Sequence, residues 1–454
     1  MRLGRGQFRC VLFALALTVC ALSGRVAVAS ARVAAPPVPV AAPAQQRVDM
    51  LALVRQAFDL LYGGYVDPIG SDRWLGDAWN GISAALSTAG AQPPPAPVFD
   101  GNPADDWPAF AQAFRQAAAL GVLNQTDLAY SAIQGMTQAR NSCHTAFVRA
   151  DQAPAISGSL VHQQTTDIGM VIGRDDLVVY RVYPGGPADR AGFHEGDTIL
   201  TSDGQGGTPR DIRRRILRAA AGQSVQVTVR RPGVAQPIAL TLTPQVTVLP
   251  FVRTQIVGGN VGVIQFDDFT AGPGLIEAIR QAIAQFEQQG VVGWVLDLRT
   301  NSGGDEHSMA AIASLFMSNG RILVDYDRSG VPETLDVDPS ETLPVQRPLV
   351  VLTEPYSASA AEFLPGALQD DGRAYVIGAP TDGCVSGSLI RTLADGSLLQ
   401  VQVVRSLVGN DMLNLDGVGV TPNLVIVRTP EILASGQDPQ MDAAVQYIHS
   451  QVGQ

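Results

Sequence analysis

Apolar positions change their spacing as the chain proceeds. From Asp49 they recur at helical intervals, with Leu51, Val54, Phe58 and Leu61 on one face. The same period predicts helices over 79–86, 110–123 and 127–140, and residues 49–150 read as a helical region. Residues 92–108 contain three consecutive prolines and are expected to form a loop. Beyond residue 167 short β-rich runs (177–182, 225–229) are cut by Gly and Pro. From 258 to 430 apolar strands at 261–266, 291–298, 349–353 and 375–378 alternate with helical stretches such as 274–289 and 308–317. That alternation predicts an α/β fold of crossover units on a central sheet.

Composition narrows the function. At roughly 150 residues per domain, 454 residues suggest about three domains. The 31 basic residues against 42 acidic give a net charge of −11, which argues against a nucleic-acid footprint. Every basic residue is Arg, so no lysine base, Schiff base or phosphate-loop lysine is available. Arg2, Arg5 and Arg9 precede an apolar run over 10–23, followed by Ala27-Val28-Ala29, the layout of a signal peptide over 1–29. Its removal deletes four arginines and no acid, taking the charge from −11 to −15. Export to a periplasmic or extracellular space is expected, with an uncleaved anchor as the alternative. Residues 30–48, rich in Ala, Pro and Val, read as a tether. Cys10 and Cys20 would leave with the signal, and Cys143 and Cys384 alone make no disulfide framework.

Several segments could carry chemistry. Gly186-Pro187-Ala188-Asp189-Arg190-Ala191-Gly192 followed by Gly196-Asp197-Thr198-Ile199 resembles the helix and strand of a PDZ domain, expected over 160–245. Ile168, Gly169, Met170 and Val171 would then form its carboxylate loop and peptide-accepting edge strand. Asp297-Leu298-Arg299-Thr300-Asn301-Ser302-Gly303-Gly304 closes a buried strand, and its glycines could turn backbone amides into a cavity. Ser357-Ala358-Ser359-Ala360-Ala361-Glu362 puts a serine where a helix dipole favours a developing oxyanion. Taken alone, each of these last two reads better as an ordinary turn or helix cap. Further on come 372–384, ending in Thr381-Asp382-Gly383-Cys384, and Asp416-Gly417-Val418-Gly419-Val420-Thr421-Pro422.

In this order and spacing the segments resemble the C-terminal processing peptidases, or tail-specific proteases, over about residues 49–430. The resemblance implies a crotonase-like α/β peptidase core (246–435) with an inserted PDZ domain, a helical N-terminal region and a C-terminal helix or tail (436–454). It implies Ser359 as nucleophile, with the amides of Ala360 and of Gly303 or Gly304 as oxyanion donors. The usual members place a lysine 25 residues after the serine; here that position is Cys384. A serine hydroxyl needs an adjacent base. The resemblance is therefore closer to the tricorn-like serine–histidine branch, whose histidine precedes the PDZ domain. His144, in Ser142-Cys143-His144-Thr145, stands in that place, and Asp416 is the nearest counterpart of that branch's supporting glutamate. His307 is the runner-up base, and His162, His194 and His449 are weaker candidates. Pro365, past the first turn of the helix after Ser359, is expected to bend it. If His144 and Cys384 both border Ser359, Cys143 and Cys384 could pair; alternatively Cys384 fills the lysine's space as a small apolar group, or acts as a nucleophile.

The resulting expectation is an exported serine endopeptidase acting on C-terminal regions of proteins held by the PDZ domain, through an acyl-enzyme, with no metal and no organic cofactor. The alternative is an inactive homologue that serves as a PDZ peptide-binding scaffold.

Overall fold

The computed structural model describes residues 48–140, 142–153, 165–247, 251–269 and 272–453. The expected signal, the tether up to residue 47 and His162 lie outside them. Among the described residues no helix is long and apolar enough to cross a membrane.

The N-terminal region is built from α1 (Met50–Gly64), α2 (Ser71–Thr88), α3 (Pro103–Ala119) and α4 (Gln125–Gln138). The Asp49 side chain caps α1 by accepting the Leu51 and Ala52 amides. Val54, Phe58 and Leu61 are buried as their spacing predicts. Helix α3 begins inside the stretch expected to be loop. Pro103 occupies its first position, where no amide is needed, Asn102 caps it, and Asp105 and Asp106 suit the dipole of its first turn. Pro108 costs one interior hydrogen bond without ending the helix. Strand β1 (Ala146–Val148) follows α4.

The next unit comprises β2 (Thr165–Asp167), β3 (Met170–Ile172), β4 (Val179–Val182), α5 (Pro187–Ala191), β5 (Thr198–Ser202), α6 (Pro209–Leu217), β6 (Val225–Arg230), β7 (Ile238–Leu242) and β8 (Gln245–Thr247). Gly192 ends α5 in the left-handed conformation (φ 86°), which glycine adopts without strain. Asp197 is fully buried and takes two 2.7 Å bonds from Arg231. Val179, Phe193, Ile199 and Ile212 fill the core of this unit.

The third unit holds β9 (Arg253–Val257), β10 (Val261–Gln265), α7 (Pro273–Gln288), β11 (Gly293–Asp297), α8 (Glu306–Phe316), β12 (Arg321–Asp327), β13 (Pro332–Asp336), β14 (Leu349–Thr353), α9 (Ala360–Asp370), β15 (Tyr375–Gly378), β16 (Ser388–Thr392), β17 (Leu398–Gln402), β18 (Val404–Val408), β19 (Leu424–Val425), α10 (Pro430–Ser435) and α11 (Pro439–Val452). Its main sheet has the order β19–β15–β14–β11–β10–β9, parallel except for β9. Ile264, Leu296, Val351 and Val376 face α7, α8 and α9, while Val263, Val295, Val350 and Ile377 face α11. Cover on both faces explains why these strands read as continuous apolar runs. Helix α11, within the stretch expected as a C-terminal helix or tail, is one layer of the core, with Met441, Ala444 and Ile448 against the sheet.

The helical region is also not self-contained. Strands β16 and β17 form a hairpin that pairs with β1, Phe147 opposite Leu399, and Leu393, Leu399 and Val401 enter the helical core. Under the sheet, Arg299 is 1% exposed and binds Asp297 through two 2.8 Å bonds and Asp438 through another. Burial alone would raise the Asp297 carboxyl; the Arg299 guanidinium outweighs it and holds the group well below the usual range. This pair fastens the end of β11 to the start of α11. Arg299→Ala leaves the buried Asp297 carboxylate to the longer 3.4 Å contact of Arg181, and a loss of roughly 3 kcal/mol in urea unfolding is expected.

Candidate functional site

The loops after β11 and β14 leave neighbouring parallel strands at their C-terminal ends, where open α/β sheets place ligands. They are stitched together: Ser357 Oγ donates to the Leu298 carbonyl (2.9 Å) and the Ala358 amide to the Asn301 carbonyl (3.3 Å).

Ser359 sits between β14 and α9 with φ 57° and ψ −122°. A positive φ is rare outside glycine and is a form of strain that clusters at functional sites. Its amide donates to the Cys384 carbonyl (3.0 Å) and to Glu362 Oε2 (2.9 Å). Glu362 is fully buried and also accepts from Thr381 Oγ1 (2.6 Å) and from the Gly383 (2.7 Å) and Cys384 (2.9 Å) amides. Burial raises its carboxyl, against these hydrogen bonds. One carboxylate therefore joins the serine's backbone to the loop from Thr381 to Cys384. The S-x-x-E spacing of a capping box was visible in the sequence, but Glu362's second set of partners was not.

Gly303 (φ 99°) lies directly against the serine. A Cβ there would come within 2.7 Å of Ser359 Cβ and 3.2 Å of the Ala360 amide nitrogen. The Gly303 amide itself donates to Asn301 Oδ1 (2.9 Å), so it is not available as an oxyanion donor. Among the described residues, the Gly304 and Ala360 amides donate to no group. Helix α9 passes through Pro365 without interruption; proline there forgoes an amide but does not break the helix.

Cys384 is bonded to Cys143, with Cα atoms 6.0 Å apart. The disulfide alternative is therefore the one realised. Next to it, His144 is buried, its Nδ1 3.3 Å from Cys143 Sγ and 3.5 Å from Cys384 Sγ, its Nε2 3.9 Å from Cys384 Sγ. Burial, aided by the Arg174 guanidinium, pushes this imidazole down to about 4. The loop is anchored on β17: Ser142 Oγ donates to Gln402 Oε1 (2.8 Å) and accepts the His144 amide (3.1 Å). His144 and Ser359 both border Cys384, one at its side chain and one at its carbonyl, but no hydrogen bond joins the ring to the hydroxyl.

Asp416 does not orient His144. It is exposed, and its carboxylate takes the Val385 amide; short motif spacing could not reveal which donor it faces. His307 and His194 are exposed, and His449 bonds Asn260 (2.7 Å), so none of these joins the site. Arg174, which drew no attention in the sequence, reaches from the β3–β4 turn to Asp382 and over the Tyr356 ring (5.6 Å). Strand β3 pairs with β4 alone, leaving its other edge without a strand among the described residues. The Gly169 amide is held by Asp167 Oδ1 (2.8 Å), and Ile168, Met170 and Val171 are buried.

Fold and site together define an α/β peptidase core bearing a PDZ domain. Residues 260–426 match peptidase family S41 and residues 159–242 match the PDZ domain. The carboxyl-terminal-processing peptidase 2, chloroplastic, of Arabidopsis thaliana is 31% identical over 319 residues, covering 66% of this chain and 61% of its own length. A carboxyl-terminal-processing protease of Picosynechococcus sp. is 29% identical over 345 residues, 72% of this chain and 80% of that one. The solved photosystem II D1 C-terminal processing protease superposes with a TM-score of 0.57 at 24% identity, over 88% of this chain and 97% of that one. Residues 260–426 are thus a family S41 peptidase domain, and the matched relatives are named carboxyl-terminal-processing peptidases, of the first of which the chain spans 61%. The matches do not separate the serine–histidine from the serine–lysine branch.

Two outcomes follow. Glu362→Ala removes an acceptor for four donors, and both a lower melting temperature and a hydrolysis rate at least tenfold lower are expected. Glu306, two residues past Gly304, is pushed up to about 7 by burial and by the Asp325 carboxylate. An acid raised in the folded state stabilises less as pH rises, here from its unfolded value near 4.5 through 7. Melting temperature should fall across that window, and Glu306→Gln should flatten the fall.

Proposed function

We propose that this chain is an exported serine endopeptidase that cleaves protein substrates near their C-termini through an acyl-enzyme. The observation that carries this reading is Ser359, strained at a strand-to-helix elbow beside the uncommitted Ala360 amide. Ser359 Oγ attacks the peptide carbonyl, and His144 accepts its proton at Nε2, the ring nitrogen turned away from Cys143. The Ala360 and Gly304 amides receive the tetrahedral oxyanion, a contribution of roughly 3–4 kcal/mol per donor in other enzymes. His144 then protonates the leaving amine, and water reverses the sequence to release the acid.

On this mechanism the hydroxyl and the ring close on one another when substrate binds, since resting-state catalytic hydrogen bonds are often long. A ring held neutral down to about 4 is ready to accept a proton at neutral pH, at the cost of low basicity. The β3 edge and the loop at Gly169 would hold a substrate's C-terminal residues, adding a strand to the PDZ sheet. The N-terminal apolar run, the disulfide and the chloroplastic names of relatives support export. The peptidase names of the relatives lend nothing to an inactive scaffold.

A fluorophosphonate probe should label the wild type and not Ser359→Ala. His144→Ala should retain its fold and lose about 10²–10⁴ in kcat/KM on a peptide with a free C-terminus. Unlabelled wild type, or near-normal turnover without the imidazole, would refute the nucleophile or the base respectively.

A further inference from the structure

The Cys143, His144 and Cys384 side chains bring two sulfurs and a ring nitrogen within 4.8 Å of one another. In the disulfide neither sulfur is a thiolate, which is the form that binds metals. Reduction changes that. Cys143 is exposed, and both cysteines line a cavity of about 590 Å³ that also carries Asp382, Asp416 and Arg405. A small dithiol has access to the bond from that side. Exchange there moves two electrons: the protein disulfide becomes two thiols, and the dithiol becomes its own disulfide.

The two loops have anchors besides the disulfide. Ser142 and Thr145 are tied to Gln402, through Ser142 Oγ (2.8 Å) and through the Gln402 amide on Thr145 Oγ1 (3.3 Å). Cys384 is tied by its amide to Glu362 (2.9 Å) and by its carbonyl to Ser359 (3.0 Å). Reduction therefore leaves two thiols and an imidazole on backbones that stay near one another. Thiolates about 2.3 Å and an imidazole nitrogen about 2.0 Å from one ion fit a tetrahedral zinc centre. A pair of Cα atoms 6.0 Å apart allows two sulfurs to reach the same ion.

We propose that the dithiol form of this protein binds a zinc-class divalent cation through Cys143 Sγ, Cys384 Sγ and His144 Nδ1, with a fourth position open to the cavity. Binding converts two thiols to thiolates and releases two protons per ion. Oxidation of the two thiolates to the disulfide, by a small-molecule disulfide, expels the ion. The site stands without the peptidase reading. On that reading, a metal-bound His144 is fixed in place and cannot close on Ser359, so the ion would silence the enzyme.

The test uses the full chain, reduced with a dithiol and freed of it without oxygen, then titrated with Zn²⁺ and Co²⁺ in the absence of substrate. One ion per chain, a thiolate-to-cobalt charge-transfer band and release of two protons are expected. Cys143→Ser and Cys384→Ser should each weaken binding at least 100-fold, and His144→Ala should weaken it while keeping the band. Re-oxidation of the wild type should return the ion to solution, a readout that requires no variant. Equal uptake by the oxidised and reduced wild type, no uptake by the reduced form, or undiminished binding in a folded Cys143→Ser protein would overturn the site. Activity is measured separately, so loss of the metal site and loss of the peptidase reading are told apart.

Discussion

The buried carboxylate of Glu362 is the point on which the site turns. Its two oxygens collect the Ser359 amide, the Thr381 hydroxyl and the Gly383 and Cys384 amides. A charge in a low-dielectric interior is tolerable only when its lone pairs are filled, so the same requirement that satisfies the acid also locks two loops together. The strained backbone of Ser359 is held by this arrangement. So is the Cys384 loop, and through the disulfide so is the segment carrying His144.

On the proposed reading, the disulfide at Cys384 ties the loop after β15 to the residue beside His144, and the imidazole comes with it. The cost is electrostatic: the ring is buried beside Arg174 and is a weaker base than a solvated histidine.

Much of this was legible in the sequence where local pattern and tertiary demand agree. The runs at 261–266 and 349–353 announced strands because both faces of the sheet are covered. Ser359 and His144 stood out through motifs whose order is distinctive. Elsewhere a local rule was overridden. Pro103 and Pro108 suggested loop, yet Asn102 and the acids at 105 and 106 favour a helix start strongly enough to carry both prolines. The pairing of Ala146 with Gln400 leaves no local trace, so the helical region looked independent. Asp416 was placed by its position in a motif, but a carboxylate binds whichever donor the fold presents, and that donor is the Val385 amide.

The hairpin that completes the N-terminal helices has a consequence for the order in which the molecule can mature. Leu393, Leu399 and Val401 belong to a core whose other members are made more than two hundred residues earlier. As the chain leaves the ribosome, α1 to α4 must wait with an unsealed apolar surface, and Cys143 must wait as a lone thiol, until the segment near residue 400 arrives. Neither the bundle nor the cross-link can be finished by vectorial assembly from the front, so the nascent chain completes both only near the end of synthesis.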